Sequence, residues 1–373
     1  MATDFEREGL LDGLEDKDAR RARLELLREL SDEGVPLDEL KRAAAEDRLA
    51  LLPVERVLTP EGPRYTATEV AEQSGVEAEF LEQLWRALGF SLADPDEPIY
   101  SEQDVEAARG VKLFMDAGLP AEGILEISRM MGIGMSQLGA AITRVFGEAL
   151  LEAGDTERDL GRRQAEAAKQ LTPQIAPMLE HVLSIHLRQQ VRRAAVGSAQ
   201  LATGELPGGL DVAICFADLV GFTRLGERLP GDELGAVAGR LADLAAQQAS
   251  EDVRLIKLIG DAAMFVSTDP AALVDAALSL VEAADGEGEE FPQLHAGLAY
   301  GEALTRGGDW FGHPVNLASR VADVARPGSV LATEDLREAI RDDGLRWSSA
   351  GRRRLKGVKE PARLHRVRRA TSD

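Results

Sequence analysis

Apolar positions change their spacing near residue 200, and this change divides the chain into a helical half and a half of mixed strands and helices. In the first half, segments such as 18–34 place leucines three and four positions apart and end at a glycine, which is typical of amphipathic helices. In the second half, short apolar runs alternate with helical segments in the order strand, helix, strand, strand, helix, strand. This order predicts an α/β sandwich with helices covering one face of a sheet.

A small, polar and glycine-rich stretch, residues 198–209, separates the two halves. Because glycine and small polar residues favour loops over regular elements, this stretch is predicted to be a linker. The predicted domains are therefore an all-α domain over residues 1–197 and an α+β domain over residues 210–369.

Composition and charge exclude several classes of protein. The 373 residues carry a net charge of −22, whereas nucleic-acid phosphates and anionic membranes require clustered lysine and arginine. No apolar run approaches the about 18 residues of a membrane helix, and the charged N-terminus lacks the core of a signal peptide. The single cysteine, Cys215, excludes an internal disulfide. We expect a cytoplasmic protein without a membrane span, and its charge is compatible with a small nucleotide as ligand.

The segment of about residues 64–130 resembles the winged helix-turn-helix of MerR-type regulators. A helix that reads DNA needs arginine or lysine near the phosphates. Residues 66–130 instead contain four basic side chains and fourteen acidic ones. We therefore expect no direct DNA binding and interpret the segment as part of a helical regulatory domain.

Two carboxylates interrupt the apolar strands of the second half. Asp218 lies in the run 214–223, and Asp261 lies at a predicted hairpin turn. In a βαβ unit the strand after the crossover helix runs parallel to the first strand, which would bring these two side chains together. Neighbouring carboxylates repel each other unless a cation lies between them, and Mg²⁺ prefers carboxylates with water and phosphate. Either aspartate alone is explained as a turn residue, but the pair favours a metal site.

A second polar set begins the helical segment near residue 316. Asn316 and Arg320 are four positions apart and share one helix face. An amide and a guanidinium on one face suit a ribose and a phosphate. A surface pair on an amphipathic helix explains the same spacing, and the spacing alone leaves both interpretations open.

Four motifs of this half, FADLVGFT, IKLIGDAAM, GDWFGHPVNLASR and RRLKGVKEP, occur in the order and at the separations of one enzyme family. Through them, residues 211 to about 367 resemble the catalytic domain of class III adenylate cyclases. The resemblance implies a ferredoxin-like βαββαβ fold, two Mg²⁺ or Mn²⁺ ions, and conversion of ATP to cyclic AMP and pyrophosphate. It also implies these roles: metal binding by Asp218, Asp261 and the backbone carbonyl of Leu219, base recognition by Lys257 and Asp309, ribose orientation by Asn316, α-phosphate stabilisation by Arg320, and triphosphate binding by Lys356.

Hydrogen-bond chemistry supports ATP over GTP as the substrate. Adenine offers an acceptor at N1 and a donor at its 6-amino group, which match a lysine donor and an aspartate acceptor. Guanine reverses both edges and would leave Lys257 and Asp309 without partners, which is costly in a buried site.

In the family, each active site lies between two catalytic domains arranged head to tail. This chain has one such domain with both halves of the residue set, which implies a symmetric homodimer with two equivalent sites.

One position departs from the family, because His295 stands where an arginine often contacts the triphosphate. Either Lys356 and its basic neighbours compensate, or phosphate affinity varies with pH, or His295 is structural.

The helical half resembles the N-terminal regulatory modules of actinobacterial cyclases, some of which respond to pH. Its last segment, residues 171–197, is predicted to be a transmission helix that starts at Pro173 and Pro177. Protonation of His181 or His186 would bias this helix, although surface histidines are a simpler explanation. An apolar ligand of the helical domain is equally conceivable.

Two other functions of the chain remain open. One is a nucleotide sensor with little catalysis, and the other is a transcription regulator with a cyclase-like ligand domain.

Overall fold

The computed structural model describes residues 4–92, 94–201, 209–288, 290–341 and 344–370. By its internal contacts the chain forms two units, Met1–Gly197 and Ser198–Asp373. The first unit is helical. Its helices are α1 Lys17–Asp32, α2 Leu37–Ala45, α3 Leu52–Leu58, α4 Ala67–Ser74, α5 Ala78–Ala87, α6 Glu102–Asp116, α7 Ala121–Leu150 and α8 Glu157–Leu201.

Two apolar cores hold the helical unit together. The first forms around α1, which begins at Asp16, where the carboxylate accepts a hydrogen bond of 2.7 Å from the Ala19 N–H. The second forms around α4 to α7 and includes Trp85, whose ring stacks on Tyr100 with centroids 4.1 Å apart. In the second core, α4 and α5 make the helix-turn-helix pair expected from the sequence.

Helix α8 corrects two predictions about the end of this unit. Pro173 and Pro177 lie inside the helix and do not start it. The helix begins sixteen residues earlier, after Thr156, whose side chain and that of Asp159 cap it reciprocally. At its other end the helix continues to Leu201, so the first four residues of the predicted linker are helical. Residues 202–208 of that linker lie outside the described residues.

The start of α8 is fixed to α1 by ion pairs. Arg23 donates from Nε to Glu157 over 2.8 Å, and Arg158 donates from Nε to Glu29 over 2.9 Å. Gly161 packs so closely on the backbone of Ala50 that a Cβ atom there would lie 2.6 Å from the carbonyl oxygen. These contacts make the first turns of α8 part of the N-terminal core.

The second unit contains one mixed eight-stranded sheet in the order β2-β3-β1-β4-β6-β8-β7, with β5 paired to β4. All neighbouring strands are antiparallel except β4 and β6. Its strands are β1 Leu210–Leu219, β2 Arg254–Ile259, β3 Ala262–Ser267, β4 Leu294–Arg306, β5 Asp309–Phe311, β6 Val330–Thr333, β7 Leu345–Arg353 and β8 Ala362–Arg369. Its helices are α9 Phe222–Gly226, α10 Gly231–Gln247, α11 Pro270–Asp285, α12 His313–Ala322 and α13 Glu334–Ala339.

Helices cover both faces of this sheet, whereas the sequence predicted helices on one face. One core joins α10 and α11 to alternate residues of β1, such as Cys215. The other joins α12 to the intervening residues, such as Ile214. Gly297 of β4 permits the second arrangement, because a Cβ atom there would lie 2.0 Å from the backbone nitrogen of Ala322. The predicted order from β1 to β4 is confirmed, and β5 to β8 extend it.

Acid should destabilise the second unit through the contact between His365 and Glu334. His365 on β8 is buried, and its Nε2 hydrogen-bonds the carboxylate of Glu334 at the start of α13. This bond lowers the pKa of Glu334 from its ordinary 4.5. A carboxylate whose pKa is lowered by folding stabilises the fold above its unfolded pKa, and this stabilisation is lost as the pH falls through the folded pKa. Glu334→Gln should therefore lower the melting temperature by a few degrees at pH 7 and flatten its fall below pH 5.

Thermal unfolding of the full chain from pH 3 to 8 measures this effect. Glu338→Gln, an exposed change on the same helix, is the matched control. Parallel pH curves for Glu334→Gln and the unsubstituted chain would contradict the prediction.

Candidate active site

The two aspartates expected to bind metal lie side by side. Asp218 is the last residue but one of β1 and lies on the face covered by α12. Asp261 lies in the two-residue turn between β2 and β3. Asp218 pairs in register with Ala262, the residue after Asp261. The N–H of Leu219 donates to the backbone carbonyl of Asp261 over 3.1 Å, which ties the turn to the end of β1. Strand β2 runs in the same direction as β1, as expected, but β3 lies between them.

The electrostatics of this pair fit a divalent cation. The Oδ1 atom of Asp218 is buried without a hydrogen-bond partner. Burial, the charge of Asp261 and a hydrogen bond to its carboxyl group raise the pKa of Asp218 to about 7. A cation between the carboxyl groups would remove this repulsion and satisfy the orphaned oxygen. Within the described ranges, no cluster of three or more carboxylate, histidine or cysteine side chains forms a metal site alone, so further ligands would come from backbone, water or substrate.

The two residues expected to read the base form a pair of their own. Lys257 on β2 donates from Nζ to the carboxylate of Asp309 on β5, and both side chains are about one-third exposed. Strand β2 carries a bulge at Ile256, which shifts its register so that Lys257 lies opposite Met264. Met264 faces α12, as Asp218 does, and the bulge therefore turns the lysine toward the face that carries Asp218.

Helix α12 carries the third pair. Asn316 is exposed, and Arg320 follows one turn later on the same face. The guanidinium of Arg320 donates from Nη1 to the carboxylate of Asp323 over 3.0 Å. The six main candidate residues therefore form three pairs. Two pairs are in direct contact, Asp218 with Asp261 and Lys257 with Asp309. The third pair, Asn316 and Arg320, shares one face of α12.

Comparison with known proteins assigns the family. A model of the adenylate cyclase regulatory domain matches residues 3–191, and a model of the adenylate and guanylate cyclase catalytic domain matches residues 209–368. A pH-sensitive adenylate cyclase of Mycobacterium tuberculosis is 40% identical over 360 residues, covering 95% of this chain and 90% of the relative. The chain belongs to the class III adenylate cyclases.

Other proteins are also similar to this chain. An adenylate cyclase of Streptomyces coelicolor is 32% identical over 300 residues, covering 79% of this cyclase and 76% of the relative. The solved structure of an adenylyl cyclase from P. aeruginosa aligns with a TM-score of 0.37 at 19% identity, covering 44% of this cyclase and 96% of that chain. Among the described residues, no helix is both long and apolar enough to cross a membrane.

His295 is poorly suited to replace a phosphate-binding arginine in this cyclase. It lies beside Asp218 in the register of β1 and β4 and is half-buried. Burial lowers its pKa, which disfavours the cationic form, and its ring hydrogen-bonds the backbone of Ala325. Lys356, in the loop between β7 and β8, is exposed. The cationic role that the sequence resemblance implies therefore fits Lys356 better than His295.

The two histidines proposed for regulation lie elsewhere, on α8 of the regulatory unit. His181 and His186 are both exposed. Their helix also presents large exposed apolar side chains, among them Met178, Leu183 and Val191.

Two features near the site were missed in the sequence analysis. The bulge at Ile256 has no sequence signal, because an isoleucine fits a regular strand as well as a bulge. Asp323 did carry a signal, since it follows Arg320 by three positions on a predicted helix, a spacing that allows an ion pair.

Proposed function

We propose that this cyclase converts ATP to 3′,5′-cyclic AMP and pyrophosphate at sites shared between two copies of the chain. The observation that carries the proposal is the contact between Asp218 and Asp261, where burial and like charge raise the pKa of Asp218 to about 7. Such a pair is costly to keep without a cation, and the reaction class needs cations. The family membership and the named relatives support the same activity.

Asp218, Asp261 and the backbone carbonyl of Leu219 are the proposed ligands of two Mg²⁺ or Mn²⁺ ions. When bound, such ions lower the pKa of the ribose 3′-hydroxyl and neutralise charge on the phosphates. Lys257 donates to N1 of adenine and Asp309 accepts from its amino group. Asn316 orients the ribose so that its 3′-oxygen lies in line with the α-phosphorus, and Arg320 stabilises the charge that develops there. Lys356 binds the triphosphate and stabilises the departing pyrophosphate.

A head-to-tail homodimer is proposed because one chain contains both halves of the set. The metal-binding half comes from one copy, and Lys257, Asp309, Asn316 and Arg320 come from the other. A two-fold axis then generates two equivalent sites.

Mixed dimers test this arrangement. A metal-deficient chain carries Asp218→Ala and Asp261→Ala, and an arginine-deficient chain carries Arg320→Ala. Each alone should be nearly inactive. Co-expressed in equal amounts, about half of the dimers contain one of each chain and one complete site, so activity should recover to about a quarter of the unsubstituted level. Cyclic AMP formation with Mn²⁺ measures the recovery. No recovery from tandem-purified mixed dimers would contradict the shared site.

We also propose that the regulatory unit makes activity depend on pH through α8. The relative from Mycobacterium tuberculosis is described as pH-sensitive and matches across both units. His181 and His186 are exposed on α8, with Glu180 and Arg188 as charged neighbours on the same helix. Protonation of either histidine would add a positive charge to α8 and change the stability of the helix.

Replacing both histidines with alanine should flatten the pH–activity profile between pH 5.5 and 8. The unsubstituted cyclase and a control with Gln189→Ala and Gln190→Ala should keep their pH dependence. Rates of cyclic AMP formation at saturating ATP measure the profile. An unchanged profile in the double histidine variant would remove these two residues from the mechanism.

A further inference from the structure

Asp323 lies between the two half-sites of one chain. It is the residue after α12, and its backbone N–H donates to the Ser319 carbonyl, which fixes it at the end of the helix. Its carboxylate accepts the 3.0 Å hydrogen bond from Arg320. Arg320 belongs to the half-site that would serve one active site of a dimer.

Asp323 also lies near the proposed metal-binding half-site of its own chain. It directly follows Ala322, whose backbone nitrogen packs against Gly297 of β4. Gly297 lies two residues from His295, the register partner of Asp218. The ring of His295, which pairs with Asp218 across β1 and β4, hydrogen-bonds the backbone of Ala325. The segment 323–325 therefore contacts the residues around the metal pair on one side and Arg320 on the other.

We propose that Asp323 is a positioning residue that links the two half-sites of each chain. It holds the guanidinium of Arg320 in place for one active site and keeps a negative charge beside the metal-binding carboxylates of the other. This inference rests on the proposed function, in which those half-sites serve different active sites.

The physical basis is the freedom that Arg320 would otherwise have. Its side chain is 43% exposed, and an unrestrained arginine samples many rotamers. An exposed ion pair three residues apart on a helix contributes little to stability. Loss of the carboxylate should therefore leave the fold intact while misplacing the guanidinium, and small misplacements in a site cost large factors in rate.

The mixed dimers separate the two effects of Asp323. In the metal-deficient chain, which supplies Arg320 to the complete site, Asp323→Asn should lower kcat about tenfold and leave the KM for ATP within twofold. In the arginine-deficient chain, which supplies the metal carboxylates, the same change should leave kcat at saturating Mn²⁺ unchanged and raise the Mn²⁺ needed for half-maximal rate about threefold. Asp323→Glu, which keeps the charge and can still reach Arg320, should restore most of the lost rate.

A binding measurement provides a readout that does not depend on activity. Mn²⁺ binding to the full chain, followed by electron paramagnetic resonance of the free ion, should weaken about threefold in Asp323→Asn. Asp243→Asn is the matched control, because Arg240 and Asp243 form the same three-residue ion pair on α10. It should change neither kcat nor Mn²⁺ binding.

Two outcomes would overturn the inference. One is an unchanged or faster rate with Asp323→Asn in the metal-deficient chain, since a faster rate would mean that Asp323 competes with substrate for Arg320. The other is unaltered Mn²⁺ binding. Failure of the proposed function is distinguishable, because the mixed dimer with Asp323 intact in both chains would then be inactive.

Discussion

Replacing Asp261 with asparagine should reduce cyclic AMP formation by about a thousandfold and, without metal, make the protein more resistant to heat. The rate falls because a bound cation contributes several kcal/mol to stabilising the transition state, and asparagine binds it far more weakly. The stability rises because the substitution removes the like charge that burial forces against Asp218. A substitution that lowers activity and raises stability indicates that the original residue is kept for function and not for the fold.

Thermal unfolding with and without Mn²⁺ measures the second part of this prediction. The unsubstituted cyclase should gain melting temperature when Mn²⁺ is added, whereas Asp261→Asn should gain little. Asp252→Asn, an exposed change near the other end of the same hairpin, is the matched control and should behave like the unsubstituted protein. A metal-free melting temperature that falls with Asp261→Asn would show that Asp261 stabilises the fold and would contradict this account of the pair.

The double change Lys257→Glu and Asp309→Ser should transfer preference from ATP to GTP. It places an acceptor where guanine presents its N1 donor and a hydroxyl donor where guanine presents its O6 acceptor. We expect kcat/KM for ATP to fall about a hundredfold, and the ratio of GTP to ATP turnover to rise by at least as much. Initial rates with each nucleotide at equal Mn²⁺ concentration measure this change of nucleotide preference.

Each single change gives a different expected result. Lys257→Glu alone would set two carboxylates against each other, because Lys257 and Asp309 are in direct contact, so both nucleotides should be used poorly. Asp309→Ser alone leaves a lysine that still donates to N1 of adenine, so ATP should remain preferred. If the double variant loses both activities in the same proportion as Lys257→Glu, the pair does not read the base.

The proximity of Asp218 and Asp261 was predictable from sequence, although β3 and not β2 is the strand next to β1. A two-residue turn with glycine fixes the hairpin between β2 and β3, and short apolar strands on each side leave one register that buries them. Asp261 then has to lie at the edge where β1 ends. The direction of Lys257 could not be derived in this way, because one extra residue in β2 changes the face on which it lies.

The misplaced start of α8 has a different cause. Proline favours the first turn of a helix, so Pro173 and Pro177 suggested a beginning, whereas the reciprocal cap of Thr156 and Asp159 carried the true signal. Strands β7 and β8 were missed because they are rich in arginine and lack a clear apolar alternation, as an edge strand and its neighbour can be. Pairing with each other and with β6, and not local preference, makes them strands.

Because Gly297 has no side chain, β4 and α12 pack so closely that they move as one rigid unit. With the helix backbone lying where a methyl group would otherwise be, neither element can slide or tilt without the other. A signal that changes catalysis therefore has little room to act by moving α12 within its own subunit. We expect regulation to change how the two rigid catalytic domains of the proposed dimer are oriented. The catalytic groups would then come together, or separate, in a single step.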